Sequence, residues 1–284
     1  MSFCVKIVRL CRKLNNIELF STYYFREGTI MKNNPTIIAL TGKGGVGKTS
    51  ISAAIVKVLV EKYPDKKILA IDADPAIGLS TALGIETDLT LDDIRNEIVE
   101  NVEDGNKQHA MELISESRYK IAEAIVEEDG FAFLAIGRPE SAGCYCRINS
   151  YLKDVITMVS EQFDYVVIDG EAGIEQINRR VMEKVTHLLL ISDTSKKGVE
   201  VIKTIESVAG ELVKYDKIGA ILNRVPDMSM VPKIDAGDVE ILAAIPSDSE
   251  LAQFDFEGKN LMEMSDETPV IKGVKEALTN FGII

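Results

Sequence analysis

The chain has 284 residues, of which 46% are hydrophobic and 27% are charged, and its formal net charge is -13 at pH 7. Ordinary globular composition at this length allows one large or two small domains. The acidity argues against binding to nucleic acid or to an anionic membrane, since phosphate-rich partners need basic surface. No apolar run approaches a membrane span, and four cysteines are too few for a disulfide framework. We therefore expect a cytoplasmic protein with reduced thiols and neither a membrane nor a nucleic-acid partner.

The first 30 residues differ in charge from the rest of the chain, because they carry five basic and two acidic side chains. They lack a small-residue cleavage site after a clean apolar stretch, which argues against a secretory signal. A second methionine, Met31, comes just before the first predicted strand. We predict that residues 1–30 are an N-terminal extension outside the fold and that one domain spans residues 31–284. An alternative is an amphipathic extension with Cys4 and Cys11 on one helix face.

From Met31 onward, short apolar runs rich in β-branched residues alternate with longer amphipathic stretches. Continuous apolar runs are typical of strands buried on both faces of a parallel sheet, and intervening helices imply crossover connections. We predict a single-domain α/β fold, with helices on both faces of a doubly wound, mostly parallel sheet of seven or eight strands. The widest gap between predicted strands, residues 73–130, predicts two or three surface helices. The seven predicted strands are TIIAL (36–40), KILAID (67–72), FAFLAI (131–136), YVVID (165–169), HLLLIS (187–192), IGAILN (218–223) and EILAAI (240–245).

The first predicted strand runs into a glycine-rich loop, TGKGGVGKTS, at residues 41–50. Gly42 and the later Gly47-Lys48-Thr49 satisfy the pattern G-x-x-x-x-G-K-[ST], with a strand before it and a helix after it. Glycines let backbone N–H groups turn toward phosphate oxygens, and the helix N-terminus adds partial positive charge. Lys48 would reach the β- and γ-phosphates, and Thr49 would hold Mg²⁺. The pattern predicts a P-loop NTPase whose nucleotide-binding loop residues are Gly42, Gly44, Gly45, Val46, Gly47, Lys48, Thr49 and Ser50.

An additional lysine, Lys43, gives this loop the form K-G-G-x-G-K-T. That form resembles the deviant Walker A loop of the MinD, ParA and nitrogenase-iron-protein superfamily. The resemblance implies a Mg²⁺-dependent ATPase that dimerises face to face around ATP. Lys43 would then reach the nucleotide of the facing subunit, in the role that an arginine finger has elsewhere. By this resemblance the catalytic residues are Lys43, Lys48 and Asp74.

Two segments support the resemblance on the metal side of the nucleotide. IDADP, residues 71–75, matches the family's switch I pattern, in which Asp74 would position water and Asp72 would lie near the metal. YVVIDGEAGIE, which begins at residue 165, matches Walker B and switch II, in which Asp169 would bind Mg²⁺ and the Gly173 N–H would reach the γ-phosphate. The implied Mg²⁺ site is therefore Thr49, Asp72 and Asp169.

Two later segments match the family on the base side of the nucleotide, so that the resemblance covers roughly residues 31–284. ILNRV contains Asn223 and Arg224 at a strand end, where the family reads adenine through an asparagine side chain. IPSDSE, residues 245–250, matches the family's other loop beside the base. The base-side residues implied by this match are Asn223, Arg224 and Pro246.

Two of the four cysteines, Cys144 and Cys146, form a C-x-C pair after the third predicted strand. Their sulfurs would lie about 6–7 Å apart on a regular strand, so both reach one metal only if the backbone turns, as Gly143 would allow. We predict that a helix follows with Asn149 or Ser150 as its N-cap, and thiols just ahead of a helix N-terminus ionise readily. Twofold symmetry in a homodimer would bring four thiolates together, enough for one Zn²⁺ or Ni²⁺ ion.

The segment around this pair and the segment DGEAGIEQINRR together resemble the CooC-type ATPases, nickel-handling maturation factors of carbon monoxide dehydrogenase and acetyl-CoA synthase. Their switch II usually reads D-x-E-A-G-x-E-H, and Gln176 replaces the histidine here. The resemblance implies an ATP-dependent metallochaperone that holds Ni²⁺ or Zn²⁺ as cargo at Cys144 and Cys146 and delivers it to such a client enzyme. The alternatives are an iron–sulfur-bridged ATPase like the nitrogenase iron protein, a positioning ATPase like MinD or ParA, a redox C-x-C, and two incidental loop cysteines.

Overall fold

A computed structural model describes residues 34–76, 78–103, 119–137, 146–171 and 181–284. Within them lies an eight-stranded sheet in which every neighbouring pair is parallel except the antiparallel pair at one edge. The strands are β1 (Thr36–Gly42), β2 (Ile68–Asp72), β3 (Val126–Glu128), β4 (Phe131–Ala135), β5 (Tyr165–Asp169), β6 (His187–Ser192), β7 (Lys217–Val225) and β8 (Glu240–Pro246). Their order across the sheet is β3-β4-β2-β5-β1-β6-β7-β8.

Helices connect most of the parallel strands. In the described ranges none is long and apolar enough to cross a membrane. The helices are α1 (Lys48–Lys62), α2 (Gly78–Ala82), α3 (Leu91–Glu103), α4 (Cys146–Ser160), α5 (Lys196–Leu212), α6 (Ser249–Glu257) and α7 (Pro269–Asn280). Residues 119–124 are also helical, and two short 3₁₀ helices span Met228–Lys233 and Leu261–Glu263.

All seven predicted strands are present, and the predicted doubly wound α/β fold is confirmed. The eighth strand, β3, was not predicted because its three residues, VEE, include two acidic side chains and form no apolar run. It pairs with β4 across the turn at Asp129 and Gly130, and Gly130 has φ 95°. An Asp-Gly dipeptide is a hairpin signal, so the sequence did contain a sign of this edge strand.

The sheet separates two hydrophobic cores, because successive strand residues point to opposite faces. On β1, Ile38 and Leu40 pack on the side of α1 and α7, whereas Ala39 between them packs on the side of α3, α4 and α5. All three side chains are fully buried. This two-sided burial explains why the strand sequences are continuously apolar.

Parallel pairing brings the carboxyl ends of the central strands to one edge of the sheet, where ligands bind in open α/β folds. β1 ends in the glycine-rich loop, and β2 and β5 end at Asp72 and Asp169, which are register partners on adjacent strands. β6 and β7 end beside the same loop, at Ser192 and Val225. The fold therefore gathers most of the predicted site residues at this edge, which is called the nucleotide edge below.

The helix after the cysteine pair begins earlier than predicted. α4 starts at Cys146, so the predicted N-cap at Asn149 or Ser150 is wrong and both residues lie inside the helix. The sequence pattern gives a reason, since Ile148 continues the apolar spacing of Leu152 and Val155 by one helical turn. The second cysteine is therefore the first residue of the helix.

Candidate functional site

The glycine-rich loop joins β1 to α1, and its shape depends on two glycines with positive φ. Gly42 has φ 141°, and a Cβ there would lie 2.1 Å from the backbone oxygen of Ile191 on the neighbouring strand. Gly47, the N-cap of α1, has φ 88°, and a Cβ there would lie 2.8 Å from Nδ2 of Asn223. No described side chain caps the α1 N-terminus, so its first N–H groups are available to an anion.

The two lysines of the loop have different surroundings. Lys48 is only 8% exposed, and its ammonium donates to the backbone oxygen of Lys43 at 3.2 Å. It therefore lies inside the loop. Lys43 points to the end of β6, where its ammonium lies 2.5 Å from Oδ2 of Asp193 and 3.3 Å from Oγ of Ser195. The lysine predicted to reach a second subunit is thus held within its own chain.

Asp193 and Ser195 form a small polar cluster that receives Lys43. Ser195 is the N-cap of α5 and accepts a hydrogen bond from the Gly198 N–H. Asp193 accepts from the Ser195 N–H and hydroxyl. Burial alone would raise the pKa of Asp193, but the hydrogen bonds from Lys43 and Ser195 outweigh it and hold the pKa below its ordinary value. Asp193 is therefore a charged partner for Lys43 at neutral pH.

Two buried carboxyls lie side by side at the ends of β2 and β5. Asp72 is fully buried and accepts from the N–H groups of Leu79 at 2.8 Å and Asp74 at 3.1 Å. Burial and the charge of Asp169 raise the pKa of Asp72 to about 7, against the opposing effect of those two N–H groups. Asp72 therefore ionises at a higher pH than an ordinary aspartate.

The second carboxyl, Asp169, has one oxygen without a partner. Its Oδ1 accepts from the Ser52 hydroxyl at 2.9 Å, whereas Oδ2 is buried with no hydrogen-bond partner among the described residues. Burial raises the pKa of Asp169 to about 6, opposed by the hydroxyls of Thr49 and Ser52 and the ammonium of Lys48. An unpaired buried oxygen is costly, and it fits a hard cation such as Mg²⁺. The predicted set Thr49, Asp72 and Asp169 therefore suits that ion.

The predicted water-positioning residue, Asp74, lies two residues beyond β2. It is partly exposed. Its backbone N–H donates to Asp72, and its Oδ1 accepts from the Ala76 N–H at 2.9 Å. Asp74 is thus partly exposed beside the buried Asp72, a position that suits the predicted role.

On the base side, Asn223 and Arg224 contact the outside of the loop. Asn223 is 2% exposed, and its Nδ2 donates to the Val46 carbonyl at 2.8 Å. Arg224 Nη1 donates to the Gly45 carbonyl at 3.0 Å. The amide nitrogen of Asn223 carries two hydrogens, so one of them remains for a base. Pro246, the third predicted residue of this group, is the last residue of β8.

Ser50, in the first turn of α1, contacts α6 through a hydrogen bond. Its hydroxyl donates to the carboxylate oxygens of Asp255 at 3.3 and 3.4 Å. Burial raises the pKa of Asp255, opposed by Ser50 and by the charge of Arg224. The side chain of Ser50 thus contacts Asp255, and its predicted contact with nucleotide stays a prediction.

Three predicted site residues lie wholly or partly outside the described residues. Gly173 and Cys144 lie outside the described residues. The same is true of Gln176, which replaces the switch II histidine. For Cys146 the backbone position is given, at the start of α4. The contribution of these residues stays a prediction.

Sequence reasoning missed three polar residues beside the loop: Ser52, Asp193 and Asp255. A signal for Asp193 was present, because it directly follows the buried strand HLLLIS. Asp72 and Asp169 likewise lie at the ends of buried strands. Ser52 and Asp255 had no comparable signal, because their contacts depend on how α1 and α6 pack.

A model of the CobQ/CobB/MinD/ParA nucleotide binding domain matches residues 37–261, which contain the loop, both buried carboxyls and the base-side residues. The chain belongs to this family. It is thus an ATP-binding protein of the MinD/ParA class of P-loop ATPases. An uncharacterized ATP-binding protein of Methanocaldococcus jannaschii is 36% identical over 244 residues, which cover 84% of this chain and 96% of that protein.

A more distant relative has a named function. The carbon monoxide dehydrogenase accessory protein CooC of Rhodospirillum rubrum is 26% identical over 249 residues, covering 80% of this chain and 90% of that protein. Among solved structures, MinD from Pyrococcus horikoshii complexed with Mg-ADP is 21% identical, with a TM-score of 0.62 over 86% of this chain and 94% of that one. The ATP complex of a McdA variant from Cyanothece, also 21% identical, has a TM-score of 0.64 over 89% and 98%. At this identity the two structures support the fold of the family.

Proposed function

We propose that this family member is a Mg²⁺-dependent ATP hydrolase that forms a homodimer around ATP and carries one divalent metal between its subunits. Cys144 and Cys146 of both chains would supply four thiolates to that metal. The cargo would be Ni²⁺, with Zn²⁺ compatible with the same ligands. The receiver would be carbon monoxide dehydrogenase, acetyl-CoA synthase or a related metalloenzyme.

The observation that carries this proposal is where the chain enters α4. β4 runs parallel to β2 and ends at Ala135, and the next residue, Ile136, donates its N–H to the backbone oxygen of Asp72. After Gly137, the next described residue is Cys146, the first residue of α4. Ile136 thus lies at the nucleotide edge, which supports the proposal that the segment leading to Cys146 would meet a second chain there. The similarity to CooC supports the same assignment.

Within one chain, the described residues support a division of roles. Lys48 would neutralise the β- and γ-phosphates, and Thr49, Asp72 and Asp169 would hold Mg²⁺, which supplies further charge neutralisation when bound. Asp74 would orient the attacking water. Lys43 would leave Asp193 and reach the nucleotide of the facing subunit.

Hydrolysis would act as a switch on the metal site. Loss of the γ-phosphate removes the group that holds both switch segments, so the dimer geometry relaxes and the four thiolates separate. The metal is cargo and takes no part in hydrolysis. We expect slow turnover by the protein alone, because the switch should wait for its client.

The test of the metal site is an anaerobic Ni²⁺ titration with ATP. Cys144→Ser and Cys146→Ser should each remove the tight site, while Cys4→Ser with Cys11→Ser, the other two cysteines of the chain, should leave it intact. Tight binding that persists in both single variants would refute the metal assignment. Separately, Lys48→Gln should abolish ATP binding, and retained binding and hydrolysis would refute the nucleotide assignment.

A further inference from the structure

The phosphate-binding loop is held from outside by two consecutive residues at the end of β7. Asn223 contacts the Val46 carbonyl and Arg224 contacts the Gly45 carbonyl, at 2.8 and 3.0 Å. The same two side chains lie nearest to the position that a Cβ of Gly47 would occupy. They therefore line the outer side of three consecutive loop residues.

The backbone at Arg224 adopts a conformation that allows both contacts to form. Successive residues on a regular strand point to opposite faces of the sheet, so Asn223 and Arg224 could not both face the loop from a straight strand. Arg224 has φ 56°, the only positive φ of a non-glycine residue in the described ranges. The register with β8 also shifts between Leu222 and Val225. Such a conformation costs about 1–3 kcal/mol and persists only where the surrounding contacts fix it.

A third hydrogen bond connects the pair itself. Oδ1 of Asn223 accepts from the Arg224 N–H at 2.9 Å, which fixes the orientation of the side-chain amide. The amide nitrogen is then aimed at the Val46 carbonyl. Asn223 is thus engaged with the protein through both of its polar atoms.

Peptide geometry connects these outward contacts to the inside of the loop. In a trans peptide the C=O and the following N–H lie in one plane and point in opposite directions. With the Gly45 carbonyl drawn outward to Arg224, the Val46 N–H is turned inward. With the Val46 carbonyl drawn outward to Asn223, the Gly47 N–H is turned inward as well. Inward N–H groups are what a phosphate-binding loop needs.

We infer that Asn223 and Arg224 are positioning residues, which hold the loop in the form that receives the triphosphate. This inference rests on the loop's binding of nucleotide phosphates. It goes beyond the base-reading role implied by the family resemblance, because it predicts an effect on ligands that have no base. Loss of one such hydrogen bond should weaken phosphate binding about 5- to 10-fold.

The experiment compares Mg²⁺–tripolyphosphate, which has no base, with ATP and GTP, each as a competitor of a fluorescent ATP analogue. Asn223→Ala should weaken binding of tripolyphosphate, and any further loss of affinity for ATP reports the contact of Asn223 with the base. Arg224→Ala, which keeps the positive φ and removes the guanidinium, should also weaken binding of tripolyphosphate. The second variant tests the inference independently if the first does not fold.

Asn280→Ala is the matched control. The Asn280 amide also donates to a backbone carbonyl at 2.8 Å, that of Leu242, but at the end of the sheet opposite the nucleotide edge. It should lower thermal stability without changing tripolyphosphate affinity. The inference is overturned if Asn223→Ala weakens only ATP and lowers the ATP-to-GTP preference, if it changes neither ligand, or if Asn280→Ala weakens tripolyphosphate equally.

Discussion

At the scale of single residues, Asp72 and Asp169 are two adjacent buried carboxyls whose ionisation is unfavourable in the free protein. Both are buried, their strands hold them in register, and each pKa is raised, to about 7 and about 6. A raised carboxyl pKa means that the folded chain holds protons which the unfolded chain has released. The two carboxyls therefore leave the free energy of unfolding at its full value below about pH 4. They lower it as pH rises through their folded pKa values. A bound cation would relieve this cost.

Asp169→Asn should accordingly stabilise the free protein at high pH. The substitution removes a buried charge, keeps an oxygen for Ser52 and lowers the cost of ionising Asp72. We expect the free energy of unfolding to rise by about 2–4 kcal/mol at pH 8, and Mg²⁺ to stabilise the wild type but not the variant. Urea unfolding from pH 4 to pH 8 measures this. At pH 4 the two proteins should agree closely, and a variant that is less stable at pH 8 would contradict the interpretation.

Lys43 and Asp193 form an ion pair, which would have to open before Lys43 could reach the facing subunit of the proposed dimer. Asp193→Asn keeps an acceptor for the Ser195 N–H and removes the charge. A partly exposed pair is worth about 0.2–1 kcal/mol, so the concentration of a non-hydrolysable ATP analogue that half-dimerises the protein should fall by up to about fivefold. Sedimentation velocity gives this concentration.

The control for that experiment is Asp235→Asn. It removes a similar ion pair, from Lys203 at 2.8 Å, away from the nucleotide edge, and should leave dimerisation unchanged. If Asp193→Asn needed as much analogue as the wild type, the pair would not restrain Lys43.

At the scale of elements, replacing either of two helical glycines by alanine should change stability in opposite directions. Gly273 in α7 lets the helix approach β8 closely, since a Cβ would lie 2.4 Å from Cγ1 of Ile245. Gly210 in α5 has nothing within 4 Å of a Cβ. Gly273→Ala should destabilise by about 1–3 kcal/mol, whereas Gly210→Ala should stabilise by about 0.5–1 kcal/mol. Chemical denaturation of both variants measures the contrast, and equal signs would contradict this account of the packing.

How far the sequence predicts these elements depends on the range of the interactions. Strands such as β1 and β5 are continuously apolar because both faces are covered, and the loop motif is contiguous, so both could be predicted. The contact of Asn223 with Val46 joins residues 177 positions apart, and that of Lys43 with Asp193 spans 150. Such contacts depend on strand order, which local patterns do not encode. The start of α4 was misplaced because N-capping residues were weighed above the apolar spacing that extends to Ile148.

At the scale of the whole molecule, the proposed function joins the nucleotide edge to a pair of cysteines. One chain offers two thiolates at Cys144 and Cys146, and a closed thiolate site usually needs four. The residue that would reach a second chain, Lys43, lies at the nucleotide edge. A dimer around ATP would thus complete the catalytic site and the metal site together.

The most direct test is native mass spectrometry of anaerobically purified protein loaded with Ni²⁺, with ATP and with ADP. We expect a dimer with one Ni²⁺ per two chains in ATP, and loss of both the metal and the dimer in ADP. Metal carried by the monomer, a bound cluster of several irons, or an ATP dimer without metal would contradict it.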